Sequence, residues 1–473
     1  MADSSSIAIT TRSSPRSSRR EVLRRAAAAL AFPWVVPGSA LGKNGRVAPS
    51  ERITVGVIGT GARGTEDMLG VMRSPLSQVV ALCDCRRPRL EAALTRVQRF
   101  YADRDGQSTH NGCAAGHEFR ELLDRKDIDA VLVTVPDHWH GIIATRALAA
   151  GKDVYCEKPL GRTIAESVAI RDAALRHRRV FQTGTQQRSD EKFRQAVTLA
   201  RGGHLGRIRR IEVAVPAGGD IVKQPRAPVP EGFDYDLWSG PAPLHPFDRK
   251  RCEWLAMYWI ADYCVGFICN WGIHHLDIAA WGCPEVVDAP FEIEGTGLVG
   301  SRGMCDTVMT WRTEYRYPSG LVMSFTSDRG PFDWQKQQGL TDEAARALAE
   351  VDPKTNHETG CRFIGTEGWV HVTRGAISAE PASLLTRPVE PESAGIVVSR
   401  DHHVNFLECV RDRREPVSSV ESGHRATCLG NVADIAVRLG RKLRWDPNAD
   451  RFVDDDEANR RRSQPMRSPW SLA

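Results

Sequence analysis

The sequence lacks several patterns that would point to particular protein classes. Although the chain has 12 cysteines in 473 residues, none are spaced C-x-x-C, which excludes a paired zinc pattern, and we expect most of them to be buried thiols. No repeat of fixed period is present. The net charge is only +5, and much of the basic excess lies at the two ends, so we expect no nucleic-acid partner. The remaining composition, 41% hydrophobic and 26% charged, is that of a globular protein of two or three domains.

The first 42 residues are typical of a signal peptide. The run Ser18–Arg24 resembles the twin-arginine export signal S-R-R-x-F-L-K, with Val22 in place of phenylalanine. The apolar run from Ala26 to Val36 is too short for a stable membrane anchor. We therefore expect a periplasmic or otherwise exported protein; the alternative is a basic, disordered tail.

The folded part begins with a nucleotide-binding pattern. The apolar run Ile53–Ile58 predicts a buried parallel strand, and a helical segment follows the loop after it. That loop contains G-x-G-x-x-G, in which the first glycine permits a tight turn, the second a close approach of a pyrophosphate, and the third close helix–strand packing. We expect the following loop residues to contact the cofactor: Gly59, Thr60, Gly61, Arg63 and Gly64.

Asp84 ends the next predicted strand, 20 residues after Gly64. A carboxylate there can accept both ribose hydroxyls of NAD and would repel the 2′-phosphate of NADP. Arg86 and Arg87 follow closely and could weaken that exclusion, so NAD is favoured and NADP remains the alternative. Asp84 could also cap the helix that follows.

Further strands and helices alternate up to about residue 188, which predicts a doubly wound parallel sheet. Ligands of such sheets bind beyond the carboxyl ends of the strands. The polar or loop residues expected at those ends are Pro136, Asp137, His138, His140, Glu157 and Lys158.

Four segments together resemble the glucose–fructose oxidoreductase / inositol dehydrogenase (Gfo/Idh/MocA) family over about residues 51–445: GTGARG, PDHWH, CEKPLGRTIAES and GIHHLD. The resemblance implies an α/β fold with an N-terminal Rossmann domain, residues 51–185. It also implies a C-terminal α/β domain with a large, mostly antiparallel open sheet, residues 186–445, whose last helices pack back on the first domain. Residues 446–473 are expected to be a polar tail. Two segments rich in proline, glycine and charge, 216–256 and 330–358, are predicted to be long loops.

The resemblance also implies catalytic roles. Lys158 of the E-K-P motif would reach the substrate hydroxyl and orient the nicotinamide ribose, and the following Pro159 is commonly cis in such proteins. The family pattern D-x-x-x-H-x-x-D corresponds here to Asn270, His274 and Asp277, which share one helix face. His274 would be the acid/base group, and Asp277 would orient or anchor the motif. His275 would pack in the core or support the residues that line the site.

Asn270 departs from the family pattern, because asparagine can hold an imidazole by hydrogen bonding but cannot stabilise an imidazolium by charge. Either the proton relay is weaker or another carboxylate replaces the missing one. Only Gly266 remains of the glycine-rich run usual before this motif.

Other candidates follow from position and residue type. Gln186, Gln187 and Arg188 would face the pocket, with Gln187 near the cofactor and Arg188 near the substrate. Tyr258 and Trp259 would contact a sugar ring. Weaker candidates are Trp238, Asp262, Tyr263 and His424. The adjacent pairs His274/His275 and His402/His403 cannot easily chelate one ion from a helix, so no metal site is predicted.

Three functions are consistent with these residues. The first is an NAD-dependent oxidoreductase acting on a hydroxyl of a sugar, glycoside or cyclitol. The second is a redox-neutral glycoside-cleaving enzyme with tightly held NAD, which export would favour because free NAD is not expected outside the cytoplasm. The third is a non-catalytic sugar- or nucleotide-binding relative. A homo-oligomer, dimer or tetramer, is expected, because an open sheet needs its exposed face covered.

Overall fold

The computed structural model describes residues 48–219, 221, 224–253, 255–301, 303–328 and 359–472. The predicted signal peptide, residues 1–42, and the predicted loop 330–358 lie outside the described residues. Residues 53–473 belong to one compact unit.

The first half of this unit is built on a six-stranded sheet in the order β3-β2-β1-β4-β5-β6, with every pair parallel. Its strands are β1 Ile53–Ile58, β2 Ser77–Cys83, β3 Ala114–Gly116, β4 Ala130–Val133, β5 Asp153–Cys156 and β6 Phe181–Thr183. Its helices are α1 Ala62–Met72, α2 Arg87–Asp105, α3 Phe119–Asp124, α4 Asp137–Ala149 and α5 Ile164–His177. The predicted doubly wound sheet is therefore confirmed. The pattern missed β3, which has three residues and no buried side chain.

Both faces of this sheet are covered by helices. On one face, Leu122, Ile142 and Ile170 of α3, α4 and α5 pack against the strands in a single apolar cluster. On the other face, Val71 of α1 and Val97 of α2 pack against β1 and its neighbours. Parallel strands buried on both faces are nearly continuous apolar runs, as β1 is.

The second sheet has nine strands in the order β13-β12-β11-β7-β10-β9-β8-β14-β15. Among the described strands of this sheet, only β7 and β10 pair in parallel, so the expectation of a mostly antiparallel sheet is confirmed. Its strands are β7 Ile208–Pro216, β8 Phe291–Val299, β9 Val308–Arg316, β10 Val322–Asp328, β11 Gly360–Gly365, β12 Trp369–Val372, β13 Ile377–Glu380, β14 Leu443–Asp446 and β15 Arg451–Phe452. The remaining helices are α6 Glu191–Arg201, α7 Tyr235–Ser239, α8 Phe267–Asn270, α9 Gly272–Gly282, α10 Glu285–Asp288, α11 His402–Asp412, α12 Val420–Leu439 and α13 Asp456–Arg460.

Helix α9 is buried along its whole length between the second sheet and the neighbouring helices. Gly272 and Gly282 let it lie close to the sheet, since a Cβ on them would stand 2.7 and 2.4 Å from the ring tips of Phe325 and Phe363. A helix without an exposed face must also bury its polar residues, which explains why two histidines stand in an apolar segment.

The C-terminal helices α11 and α12 pack on the first half of the unit. Phe406 and Leu407 of α11 join the apolar cluster that covers β1, and α12 packs against α5. Residues 446–473 differ from the expected polar tail. They contain β15 and α13, and the Trp470 ring lies 4.7 Å from that of Trp139.

All 12 cysteines are free thiols, and all except Cys85 and Cys283 are buried. Among the described residues, no helix is both long enough and apolar enough to cross a membrane.

Helix α12 lies so close to α8 that Gly430 is needed between them. A Cβ at Gly430 would stand 2.9 Å from the Cα of Cys269, a backbone atom that cannot rotate away. We predict that Gly430→Ala lowers the free energy of unfolding by about 1–3 kcal/mol, measured by urea denaturation. The control is Gly116→Ala, because a Cβ there meets nothing within 4 Å. Equal stability of the two variants would contradict the close contact.

Candidate active site

The glycine loop between β1 and α1 is held against the end of β4. Gly59 has φ +94°, and a Cβ on it would stand 2.5 Å from the carbonyl oxygen of Thr134. A Cβ on Gly64 would stand 2.0 Å from the carbonyl oxygen of Gly59. A Cβ on Gly61 would meet only Arg89 Nη1, at 3.5 Å. The first and third glycines are therefore required by the fold, whereas the second leaves open space above the loop.

Asp84 stands at the carboxyl end of β2 with its carboxylate turned to the glycine loop. Its Oδ2 accepts hydrogen bonds from the backbone N–H of Thr60 at 2.8 Å and from the Thr60 hydroxyl at 2.9 Å. Its Oδ1 accepts one from the N–H of Arg86 at 2.8 Å. These bonds orient the carboxylate, which still borders the cavity. The Arg86 guanidinium stacks 4.0 Å over Phe233 and donates to the carbonyl of Cys252. Both residues belong to the first of the two predicted long loops, residues 216–256, which is called the long loop below, so this loop holds Arg86.

Arg63 bridges the carboxylates beneath the loop. Its Nε donates to Glu157 Oε1 at 2.9 Å, and its Nη2 lies 2.8 Å from Asp67 Oδ1. Burial alone would lower the pKa of Arg63, but the charges of Glu157 and Asp67 outweigh it and raise that pKa. Burial raises the pKa of Asp67 to about 6, with a further contribution from Glu157. The charge of Glu157 is thus largely neutralised by Arg63.

Lys158, which follows β5, reaches across to α8. Its Nζ donates to the backbone carbonyl of Asn270 at 2.9 Å and to Asn270 Oδ1 at 3.1 Å. The Asn270 Nδ2 in turn donates to both carboxylate oxygens of Asp137, at 3.2 and 3.0 Å. The peptide between Lys158 and Pro159 is cis. One amide therefore joins an ammonium group to a carboxylate.

His274 stands on the next helix, one turn after Asn270, and is 3% exposed. Burial lowers the pKa of His274 well below its ordinary value, and the cations of Lys158 and Arg374 lower it further. Its Nδ1 is buried without a hydrogen-bond partner among the described residues. The imidazole is therefore neutral.

These groups border one cavity of about 420 Å³. At one end it is lined by the glycine loop and the end of β2, and at the other by Lys158, Asn270 and His274. The long loop forms the wall above the end of β2, where the Asp234 N–H donates to the carbonyl of Cys85 at 2.9 Å. Residues from this loop in the wall are Leu237, Trp238, Cys252 and Leu255.

Two family profiles match the chain. One, described as an oxidoreductase family with an NAD-binding Rossmann fold, matches residues 53–185. The other, described as the C-terminal alpha/beta domain of an oxidoreductase family, matches residues 218–336 and 392–472. The chain belongs to the Gfo/Idh/MocA oxidoreductase family.

Curated relatives match only part of the chain. The uncharacterized oxidoreductase YrbE of Bacillus subtilis is 25% identical over 206 residues, 43% of this chain and 54% of that protein. Inositol 2-dehydrogenase of Salmonella typhimurium is 27% identical over 156 residues, 33% and 43% of the two chains. Alpha-N-acetylgalactosaminidase of Shewanella oneidensis is 27% identical over 183 residues, 38% and 39%. The chain thus spans about half or less of the length of these relatives.

Solved structures share the fold over nearly their whole length. The aldose-aldose oxidoreductase from Caulobacter crescentus has a TM-score of 0.56 at 19% identity, covering 83% of this chain and 100% of that one. The WlbA dehydrogenase from Bordetella pertussis, solved with NADH and UDP-GlcNAcA, has a TM-score of 0.57 at 16% identity, covering 84% and 99%. At these identities the likeness shows the fold.

The Rossmann half of this Gfo/Idh/MocA chain has room and donors for a dinucleotide. Gly61 leaves space where a side chain would stand, and α1 begins there without a side-chain cap. Such a helix end offers free N–H groups and a positive dipole to a pyrophosphate. Asp84 borders the same cavity and offers acceptors for ribose hydroxyls. The residues present therefore fit NAD.

Of the residues predicted to form the site, most border the cavity. They are Gly59, Gly61, Arg63, Gly64, Asp84, Pro136, Asp137, His140, Glu157, Lys158, Gln186, Trp238, Tyr258, Asn270 and His274. Both ring nitrogens of His140 lie near backbone carbonyls, 2.6 Å from that of Pro159 and 2.9 Å from that of Val135. His140 thereby ties the loop after β4 to the loop that carries Lys158.

Arg188 and Asp277 lie outside the cavity wall and bind each other. Nε and Nη2 of Arg188 donate to the two carboxylate oxygens at 2.8 and 2.7 Å, and Asp277 is fully buried. The charge of Arg188 is thus paired inside the protein, and its contact with substrate stays a prediction. Asp277 anchors α9 through this pair and does not reach the cavity.

Four other expected contacts also lie away from the cavity. His138 places Nε2 3.0 Å from the carbonyl of Trp238 and packs against the long loop. Trp259 is 2% exposed, with its ring 4.4 Å from that of Phe267. Gln187 is turned toward the carbonyl of His274, so Gln186 is the residue of this pair that borders the cavity. The Thr60 hydroxyl donates to Asp84, and Thr60 is likewise not in the cavity wall.

His275 also points away from the cavity, and its ring lies 5.9 Å from that of Phe193. This placement agrees with the expected packing role. The sequence pattern missed Trp271 and Arg374, which border the cavity near His274. The Arg374 guanidinium lies 4.7 Å over the Trp271 ring. Trp271 could have been found from its place inside the motif, whereas Arg374 comes from a distant hairpin of the second sheet.

His424 was a weaker candidate for the pocket, but the structure buries it elsewhere. Its ligand atoms and those of Cys428 and Asp450 lie within 4.8 Å of one another, an arrangement that could hold a metal. However, Arg171 donates to Asp450 at 2.7 Å and lies 2.9 Å from His424 Nε2. A guanidinium thus already provides the positive charge, and we assign no metal to this cluster.

The glycine loop yields a paired prediction. Gly61→Ala should fold with wild-type stability, since its φ of −64° suits alanine, but weaken NAD binding by about tenfold or more, because the methyl group occupies the space of the pyrophosphate. Gly64→Ala should instead lower the free energy of unfolding by about 1–3 kcal/mol. Calorimetric titration and urea denaturation measure the two effects. Unchanged NAD affinity in Gly61→Ala would contradict the assignment of the loop.

Buried histidines predict a loss of stability in acid. Burial lowers the pKa of His138 and of His275 to about 3 and that of His402 to about 4. Each takes up a proton near its ordinary pKa only when the chain unfolds. The free energy of unfolding should therefore fall below about pH 6.5, by about 1.4 kcal/mol per pH unit for each histidine.

The measurement is urea denaturation at a series of pH values. His275→Gln should reduce the slope of stability against pH, whereas the control His177→Gln, at a half-exposed position, should not. A slope that is unchanged in His275→Gln would contradict a neutral buried imidazole at this position.

Proposed function

We propose that this protein is an NAD-dependent oxidoreductase that transfers hydride between the nicotinamide and a hydroxyl or keto carbon of a sugar, glycoside or cyclitol. The observation that carries the proposal is one continuous cavity, with the glycine loop and Asp84 at one end and Lys158, Asn270 and His274 at the other. Family membership and the named activities of the relatives support it. NAD is favoured over NADP because Asp84 borders the ribose end and Arg86 is held against Phe233.

The chemistry supplied by bound NAD is reversible hydride acceptance. The chain must then bind the substrate hydroxyl, remove its proton and exclude water. Lys158 can donate to the hydroxyl oxygen, since it lies in the wall beside His274. The neutral His274 borders the same cavity, and its imidazole can take the hydroxyl proton as the carbonyl forms. The aromatic faces of Tyr258 and Trp271 suit the apolar face of a sugar ring.

The first experiment measures nucleotide carried by the protein. Protein purified without added cofactor is denatured, and the released nucleotide is identified by mass and absorbance. About one NAD per chain is expected if the cofactor is held tightly, consistent with the long loop over the end of β2. Absence of nucleotide together with no NAD binding on titration would overturn both enzyme functions and leave a non-catalytic binding protein.

The second experiment tests the catalytic residues. A panel of sugars, glycosides and cyclitols is screened for NADH formation, and active substrates are then used with variants. Lys158→Met and His274→Ala should retain NAD but lose about 10²–10⁴-fold in turnover. His275→Gln, on the same helix but outside the cavity wall, is the matched control. Equal losses in all three variants would indicate damage to the helix instead of the chemistry.

A redox-neutral glycoside-cleaving reaction is the second candidate, favoured by the likeness to alpha-N-acetylgalactosaminidase. A substrate hydroxyl would be oxidised to a ketone, which acidifies the neighbouring C–H so that elimination expels the aglycone. Water then adds to the resulting double bond, and the hydride returns to the same carbon. Cleavage of a glycoside without accumulation of NADH would support this function, whereas stoichiometric NADH would support the first.

We further propose that the chain is exported through the twin-arginine pathway and forms a homo-oligomer, dimer or tetramer. The support for export is Arg19–Arg20 in the signal pattern, and a folded protein can carry its cofactor with it. Cell fractionation should find the chain in the periplasm and its Arg19→Lys/Arg20→Lys variant in the cytoplasm.

Light scattering on the purified protein tests the oligomer, and a monomeric mass would contradict it.

A further inference from the structure

The amide of Asn270 stands between two opposite charges. Its Oδ1 accepts from Lys158 Nζ, and its Nδ2 donates to both oxygens of Asp137. The reverse orientation would place an NH₂ group against the ammonium and an oxygen against the carboxylate. The two charges therefore hold the amide in one orientation.

Asp137 is a buried carboxylate, 4% exposed, at the first position of α4. The positive end of that helix favours a negative charge there. We propose that Asp137 supplies the negative charge for the Lys158–His274 site that residue 270 does not carry, acting on Lys158 through the amide of Asn270. Asp137 is in this sense a positioning residue, and the inference rests on the proposed function for its catalytic meaning.

The other carboxylates of the cavity wall are already engaged. Glu157 and Glu66 accept from Arg63, at 2.9 and 3.2 Å. Asp84 is bound by the glycine loop at the far end of the cavity. Among the described carboxylates in the wall, Asp137 is thus the one that faces Lys158 through a single intervening side chain.

The charges acting on Lys158 agree with this arrangement. Burial lowers the pKa of Lys158, while the carboxylates of Glu157 and Asp137 raise it and Arg63 lowers it. The thiol of Cys264 also lies near, and the neighbouring His274 is neutral. Because Glu157 is also paired with Arg63, loss of the Asp137 carboxylate should lower the pKa of Lys158 further.

The same geometry explains asparagine at position 270. An aspartate there would place two carboxylates about 3 Å apart in a buried site, and one of them would have to hold a proton. Returning residue 270 to the aspartate of the family pattern is therefore expected to harm this chain. It should be tolerated when Asp137 is changed to asparagine at the same time.

The test is a titration of Lys158 in the cofactor-free protein. Lysines are reductively methylated with ¹³C-formaldehyde, and the Lys158 resonance is assigned from its loss in Lys158→Arg. Asp137→Asn should lower the pKa of Lys158 by about one pH unit or more. The exchange Asp137→Asn/Asn270→Asp should restore the wild-type value. The matched control is Glu66→Gln, which removes a carboxylate of the cavity wall that is paired with Arg63. This variant should leave the pKa of Lys158 unchanged.

An unchanged pKa of Lys158 in Asp137→Asn, or no restoration in the exchange variant, would overturn the proposal. If Asp137→Asn does not fold, Asn270→Asp alone decides. Its stability relative to wild type should fall as the pH rises above about 4, because the folded state then holds an extra proton on the carboxylate pair. If the free energies of unfolding of Asn270→Asp and of wild type changed with pH in the same way, the proposed negative charge on Asp137 would be refuted. None of these readouts needs a substrate, so failure of the proposed function is detected separately by the NADH assay.

Discussion

The two hydrogen bonds from Lys158 to Asn270 join the half of the protein built on the parallel sheet to the half built on the second sheet, and the rest of the site depends on them. Lys158 follows a strand of the parallel sheet, whereas Asn270 ends a short helix that lies against the second sheet. A half-buried ammonium group needs acceptors and a compensating charge. The Asn270 amide provides the first, and through it Asp137 provides the second.

Close backbone contacts give this bridge its precision. Gly59 and Gly64 allow the glycine loop to pack on the sheet, and Gly430 allows helix α12 to pack against the helix that ends at Asn270. Because the helix carrying His274 is buried on all sides, its histidines are neutral and its single carboxylate, Asp277, is paired with Arg188. The polar side chains left for a ligand are therefore those that border the cavity.

Residues close together in the chain were predictable from the pattern. The glycine loop and Asp84 lie at consecutive strand ends of one parallel sheet, and such ends meet at one edge. Family resemblance added Lys158 and His274. The pattern did not indicate the internal ion pair of Arg188, a residue predicted from its position to contact substrate. It also missed Arg374, because a hairpin far along the chain brings that residue to the wall.

The sequence by itself determined the parallel sheet, its glycine loop and the family, since these follow from local periodicity and short motifs. Only the tertiary structure decided which polar residues face the cavity and which are paired with each other. The burial and the hydrogen-bond partners of a side chain depend on packing between distant segments. Neighbouring residues can therefore differ, since Gln186 lies in the cavity wall whereas Gln187 lies behind it and donates to the carbonyl of His274. The role of Asp137 likewise depends on a contact across 133 residues of chain, which no local pattern encodes.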